Sequence, residues 1–179
     1  MKKKSQLFPT LSIGEKAEAD FWEYLKELEK EKYVFFLPVR LIRAKLANIG
    51  TIKNITIDFE RFNLIIGKGA TGKTTIIRSI AYIFWHKLVK DYFSDKATIE
   101  LDVLPEKKYK ISMVSYNGKE NIKCVLVDCG GSRFDTKYFE KFLFYLKRLD
   151  MQVIMTESRL RGNISYGKIN TIELPTTTN

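Results

Sequence analysis

Gly67, Lys68, Gly69, Ala70, Thr71, Gly72, Lys73 and Thr74 follow the pattern G-x-x-x-x-G-K-S/T at every fixed position. These residue types suit a chain of phosphates. Glycines let the backbone fold closely enough for successive N–H groups to point inward, and a helix starting after the loop turns its positive end toward the same anion. Lys73 brings a point charge for the β- and γ-phosphates, and the Thr74 hydroxyl is a ligand type suited to a magnesium ion, Mg²⁺. The flanks give the motif its required context, because Asn63, Leu64, Ile65 and Ile66 read as a strand entering the loop and Thr75 onward as a helix leaving it. Residues Gly67 through Thr75 are therefore expected to hold a nucleoside triphosphate, ATP with Mg²⁺ being the default. A chance match in a structural turn is the alternative.

Such a loop works with an acid at the end of an apolar strand. Cys124, Val125, Leu126 and Val127 lead into Asp128, which makes Asp128 the candidate magnesium acid. The competing reading is an aspartate that opens the turn Asp128, Cys129, Gly130, Gly131.

The elements that must carry these groups are legible by period. Ser12 with Glu15 is a capping-box pattern, and Ala17, Phe21, Leu25 and Leu28 form an apolar stripe, so a helix is expected to end near Lys32. Strands are expected at residues 33–37, 40–47, 55–59 and 62–66. Residues 74–88 read as a buried helix in which His86 is structural. Residues 98–104, 109–116 and 121–128, with Asn117 and Gly118 as a hairpin turn, read as an antiparallel meander. Asp135 can cap a helix over residues 136–149, followed by a strand at 151–156 and a second hairpin, 164–166 with 169–174, around Gly167 and Lys168.

Composition sets the outer limits. At 179 residues, with 45% hydrophobic and 29% charged positions, the chain has ordinary globular usage. The net charge of +10 favours polyanionic partners, nucleic acid or an anionic membrane, against the alternative of a merely solvated surface. Its basic candidates are Arg40, Arg43, Lys45 and Lys53, then Lys107, Lys108 and Lys110, then Arg159, Arg161 and Lys168. Two cysteines and one histidine supply neither a zinc cluster nor a disulfide framework, and no run reaches the roughly 20 apolar residues of a membrane span. A cytoplasmic location is expected.

Residues 46–75, LANIGTIKNITIDFERFNLIIGKGATGKTT, and residues 125–159, VLVDCGGSRFDTKYFEKFLFYLKRLDMQVIMTESR, resemble the ABC-type ATPase heads of the SMC and RecF group, within the P-loop NTPases. The resemblance implies that Asp128 is the magnesium acid and that Asp135 belongs to an aspartate loop at a dimer-facing turn. Cys129 stands where that family has a catalytic glutamate, and Glu157 where it has a switch histidine. No glutamine occurs between Lys73 and Asp128, the 55 positions separating them are too few for a helical subdomain, no Leu-Ser-Gly-Gly-Gln-like signature is present, and the early-turn arginine is replaced near Gly50. Glu157 is the candidate replacement for the missing glutamate; an exposed strand-end glutamate is the alternative.

The expected fold is α/β: a P-loop NTPase with a mixed sheet, ABC/SMC-head-like, plus an antiparallel meander and an N-terminal helix. Residues 1–33 form a helical extension and residues 34–179 the nucleotide-binding domain. The expected function is slow ATP hydrolysis, with Lys73, Asp128 and Glu157 catalytic and Thr74 and Asp128 on the metal. It would gate association with DNA or protein, in a homodimer or with a partner that completes the site. The alternatives are a nucleotide-binding switch without turnover and a small-molecule or nucleotide kinase.

Overall fold

A computed structural model describes residues 15–85, 93–104, 122–128, 136–162 and 166–176. The first helix, α1 (Glu15–Lys30), carries Phe21, Leu25 and Leu28 into the core and stops at a left-handed Lys32 (φ 63°). There Lys32 N–H donates to Glu29 O and Tyr33 N–H to Leu28 O, the paired bonds of a Schellman C-cap. Then follow β1 (Val34–Leu37), β2 (Arg40–Ile49), β3 (Ile52–Asp58), β4 (Phe62–Ile66), α2 (Lys73–Trp85), β5 (Phe93–Leu104), β6 (Cys124–Asp128), α3 (Thr136–Arg148), β7 (Gln152–Glu157) and β8 (Asn170–Glu173).

The strands make two sheets. The larger has the order β1-β6-β7-β4-β8, with β1 antiparallel to β6 and the other pairs parallel; the smaller is antiparallel, β3-β2-β5. Strands β1, β4, β6 and β7 are buried throughout, which suits a sheet covered on both faces. Alternation then divides their side chains between two cores. Phe36, Leu64, Val125, Val127, Val153 and Met155 meet α1 and α3 on one side. Phe35, Leu37, Ile65, Leu126 and Ile154 meet α2 and the small sheet on the other. Phe21 stacks on Tyr145 at 5.1 Å and lies 5.7 Å from Phe142, so α1 and α3 share one aromatic seam.

One expectation needs correction. The stretch 98–128 is not one meander: β5 pairs with β2 in the small sheet, while β6 lies in the large sheet between β1 and β7. Burial explains the split. β5 alternates between half-buried and exposed positions, as a half-solvated antiparallel strand does, whereas β6 is apolar on both faces and belongs in the interior. Residues 109–116 and the Asn117–Gly118 turn fall outside the described residues. Most of the first arm of the hairpin expected around Gly167 falls outside the described residues as well; its second arm holds β8, which runs parallel along β4, from Asn63 opposite Asn170 to Ile66 opposite Glu173. That ladder, continued by Leu174 N–H donating to Ile66 O, covers an edge of β4.

Candidate nucleotide site

Strand β4 ends at Ile66, and α2 begins at Lys73 after a loop whose conformation depends on its small residues. A Cβ on Gly67 would lie 2.6 Å from Thr71 Oγ1, the hydroxyl that donates to Lys68 O at 2.9 Å. Gly72 has φ +94°, and a Cβ there would meet Ile52 Cγ1 at 3.0 Å and Thr51 Oγ1 at 3.1 Å, so the β2–β3 turn abuts the entry to α2. Ala70 adopts φ 60° without glycine's freedom, a strained residue of the kind that clusters at functional sites. Lys68, Gly69 and Ala70 are exposed, so the loop opens to solvent. Ile76 N–H donates to Gly72 O, which starts the helical ladder and aims the N-terminus of α2 into the loop.

Lys73 Nζ folds back over this loop, donating to Gly67 O and Lys68 O, each at 2.6 Å. Burial pushes its ammonium below the usual lysine range, and the charges of Asp128 and then Glu157 pull it back up. Both carboxylates therefore act on the same cation. Asp128 is buried at the carboxyl end of β6, and its Oδ1 accepts from Thr74 Oγ1 at 3.1 Å and from Thr156 Oγ1 at 3.0 Å. Thr74 and Asp128 thus present hard oxygen donors side by side, a set that fits Mg²⁺, which takes one or two protein oxygens and keeps waters around the rest of its shell. Thr156 was not among the sequence candidates. Its signal was weak but present, since it directly precedes Glu157 on the strand that lies in parallel beside β6, with Thr156 opposite Asp128.

Glu157 is 2% exposed, so it is not a solvated strand-end residue. Its register places it opposite Ile66, the last residue before the phosphate loop. Oε1 accepts from Ser158 N–H at 3.0 Å and from Ser158 Oγ at 3.3 Å, and Oε2 from Arg161 Nη2 at 3.4 Å. Arg161, one of the basic candidates, pairs with Glu157 and lies 4.2 Å over the ring of Phe139 in α3. Gly67, Lys68, Gly69, Ala70, Thr71, Gly72, Lys73, Thr74, Thr75, Asp128 and Glu157 gather at one end of β4, β6 and β7. Cys129, Asp135, His86, Lys107, Lys108 and Lys110 lie outside the described residues.

Other basic candidates sit elsewhere. Arg43 Nε pairs with Asp58 at 2.5 Å and Lys45 Nζ with Glu100 at 3.5 Å across the exposed face of the small sheet. Among the described residues, no group of three or more histidine, cysteine or acidic side chains could hold a metal, and no helix is long and apolar enough to cross a membrane.

Neither a curated protein nor a solved structure matches the chain. Residues 43–176 match the AAA domain family, a span that includes the loop, Asp128, Glu157 and Arg161, and the chain belongs to this family of AAA-type P-loop ATPases.

Proposed function

We propose that the chain binds ATP with Mg²⁺ at Gly67 through Thr75 and hydrolyses it slowly, as a reduced head of ABC and SMC-like type. Glu157 takes the role for which Cys129 is unsuited, since a thiol is a poor base for water near pH 7. The observation that carries this reading is the position of Glu157: a buried carboxylate beside the last residue before the loop, acting together with Asp128 on Lys73. Lys73 would hold the β- and γ-phosphates, while Thr74 and Asp128 would hold the metal, whose chemistry is to neutralise charge on the phosphate oxygens. In the reaction, water oxygen bonds to the γ-phosphorus and the bond to the β–γ bridging oxygen breaks. ADP leaves with that electron pair, and the water proton passes to the Glu157 carboxylate. The β2–β3 strand pair that precedes the loop and touches it at Gly72 supports the likeness to SMC-type heads. So do the loop and acid motifs, and the +10 charge supports DNA among the associations that nucleotide would gate.

Single-turnover phosphate release tests the assignment. Glu157→Gln keeps the shape and removes the base, so release should be lost while ATP affinity stays nearly unchanged. Wild-type rates from this variant would sink the role given to Glu157. A second reading, a switch that holds ATP and is completed by a partner supplying groups in trans, is favoured by Cys129 at the usual glutamate position. No phosphate from the wild-type chain alone would select it.

A further inference from the structure

We infer that Arg161 is a positioning residue, which holds the Glu157 carboxylate in the orientation that water attack requires; this rests on the reading of Glu157 as the base. Among the described residues, two of the three donors on this carboxylate come from its immediate neighbour: the N–H and hydroxyl of Ser158 both engage Oε1. They leave the carboxylate free to pivot about Oε1. Arg161 Nη2 at 3.4 Å is the contact on the other oxygen, and it fixes the plane. A long arginine side chain on an irregular segment would be a loose clamp, but this one is held from several sides. Its guanidinium lies over Phe139, its own backbone N–H donates to the Tyr166 hydroxyl at 2.9 Å, and the Tyr166 ring stands tilted against Phe139 at 6.3 Å. Phe139 is fully buried in α3, so the clamp is built on the core. The Arg161 side chain is 17% exposed, far less than those of the surface pairs Arg43–Asp58 and Lys45–Glu100. A planar guanidinium suits this double duty of stacking on a ring and donating to a carboxylate, which an ammonium performs less well.

A cycle of variants in single-turnover hydrolysis and ATP-binding calorimetry tests the inference. Arg161→Ala should slow phosphate release by about tenfold to a hundredfold, the scale of a base displaced by about an ångström, while ATP affinity stays nearly unchanged. Arg161→Lys, which keeps a donor, should recover part of the rate. On the residual release left in a Glu157→Gln background, followed over long incubation, Arg161→Ala should cost nothing further, because its effect runs through the missing carboxylate. Should Arg161→Ala fail to melt cooperatively, Phe139→Leu, which keeps an apolar side chain and removes the platform, should show the same split between rate and affinity. If Glu157→Gln abolishes release but Arg161→Ala or Phe139→Leu turns over at the wild-type rate, or if the losses add, the inference fails and the base reading stands. Wild-type rates from Glu157→Gln, or no release from the wild-type chain, overturn the base reading and this inference with it.

Discussion

Lys73 is drawn in opposite directions, since burial disfavours its charge while Asp128 and Glu157 favour it, and its ammonium meanwhile rests on the carbonyls of its own loop. Phosphates entering the loop would replace those neutral acceptors with charged ones. Lys73→Ala should therefore weaken ATP binding by the worth of a charge-assisted hydrogen bond, about 1.5–3 kcal/mol, whether or not magnesium is present. Asp128→Asn should instead remove the part of the affinity that depends on magnesium. Calorimetric titrations of the two variants, with and without Mg²⁺, check both statements; equal ATP affinity for wild type and Lys73→Ala would contradict the first. These residues were legible because phosphate geometry dictates the type at each loop position, and four apolar residues leading to one acid are a local signal. Thr156 and the role of Arg161 were not legible, because each depends on its neighbours in space: Thr156 meets Asp128 through the β6–β7 register, and Arg161 meets Phe139 through the packing of α3.

Strand β7 links two parts of the molecule. At its far end, fully buried Gln152 accepts from Leu41 N–H at 2.7 Å and donates to Leu41 O and Glu60 O, both at 2.7 Å, tying the large sheet to β2 of the small one. At its near end stand Thr156 and Glu157. Gln152→Leu would fill similar space and leave Leu41 N–H and Leu41 O without this partner, while Glu60 O keeps the Asn63 amide at 2.8 Å, and each buried polar group so orphaned costs about 1–3 kcal/mol. The denaturant midpoint should fall by an amount corresponding to on the order of 3 kcal/mol, with the m-value unchanged. A midpoint equal to that of wild type would show that the amide bridge carries no stability. Existence and type of the elements could be read from apolar runs and helical stripes, and each expected strand that lies within the described residues overlaps an observed one. Partnership could not. Nothing local in residues 98–104 says that they join β2, and nothing in residues 169–174 says that they run parallel to β4, because those pairings are decided by which edges the rest of the fold leaves open.

Three layers result, with α1 and α3 on one face of the large sheet and α2 and the small sheet on the other. The segment before residue 43, outside the family match, builds onto the strand that carries the acid: β1 pairs along β6, and Asp128 N–H donates to Tyr33 O at 2.7 Å. Charge is distributed less simply than the total of +10 suggests. On the small sheet Arg43 and Lys45 are balanced by Asp58 and Glu100, while Arg159 and Lys168 are exposed near the end of the chain, after the strand that bears Glu157. If DNA is the partner that nucleotide gates, its phosphates should be met at Arg159 and Lys168. Each phosphate neutralised on a duplex contributes a slope of about −0.9 in log K against log salt. Arg159→Gln and Lys168→Gln should each weaken duplex binding and reduce that slope by about one unit, uniformly across sequences. Arg43→Gln and Lys45→Gln should leave both unchanged, because an arginine or lysine already paired with a carboxylate has little counterion atmosphere to exchange. Gel-shift titrations over a range of salt read all four variants. A flat salt dependence, or no shift at low salt, would remove nucleic acid as the partner; equal losses from all four variants would mean that the charge acts as a diffuse field with no footprint after β7.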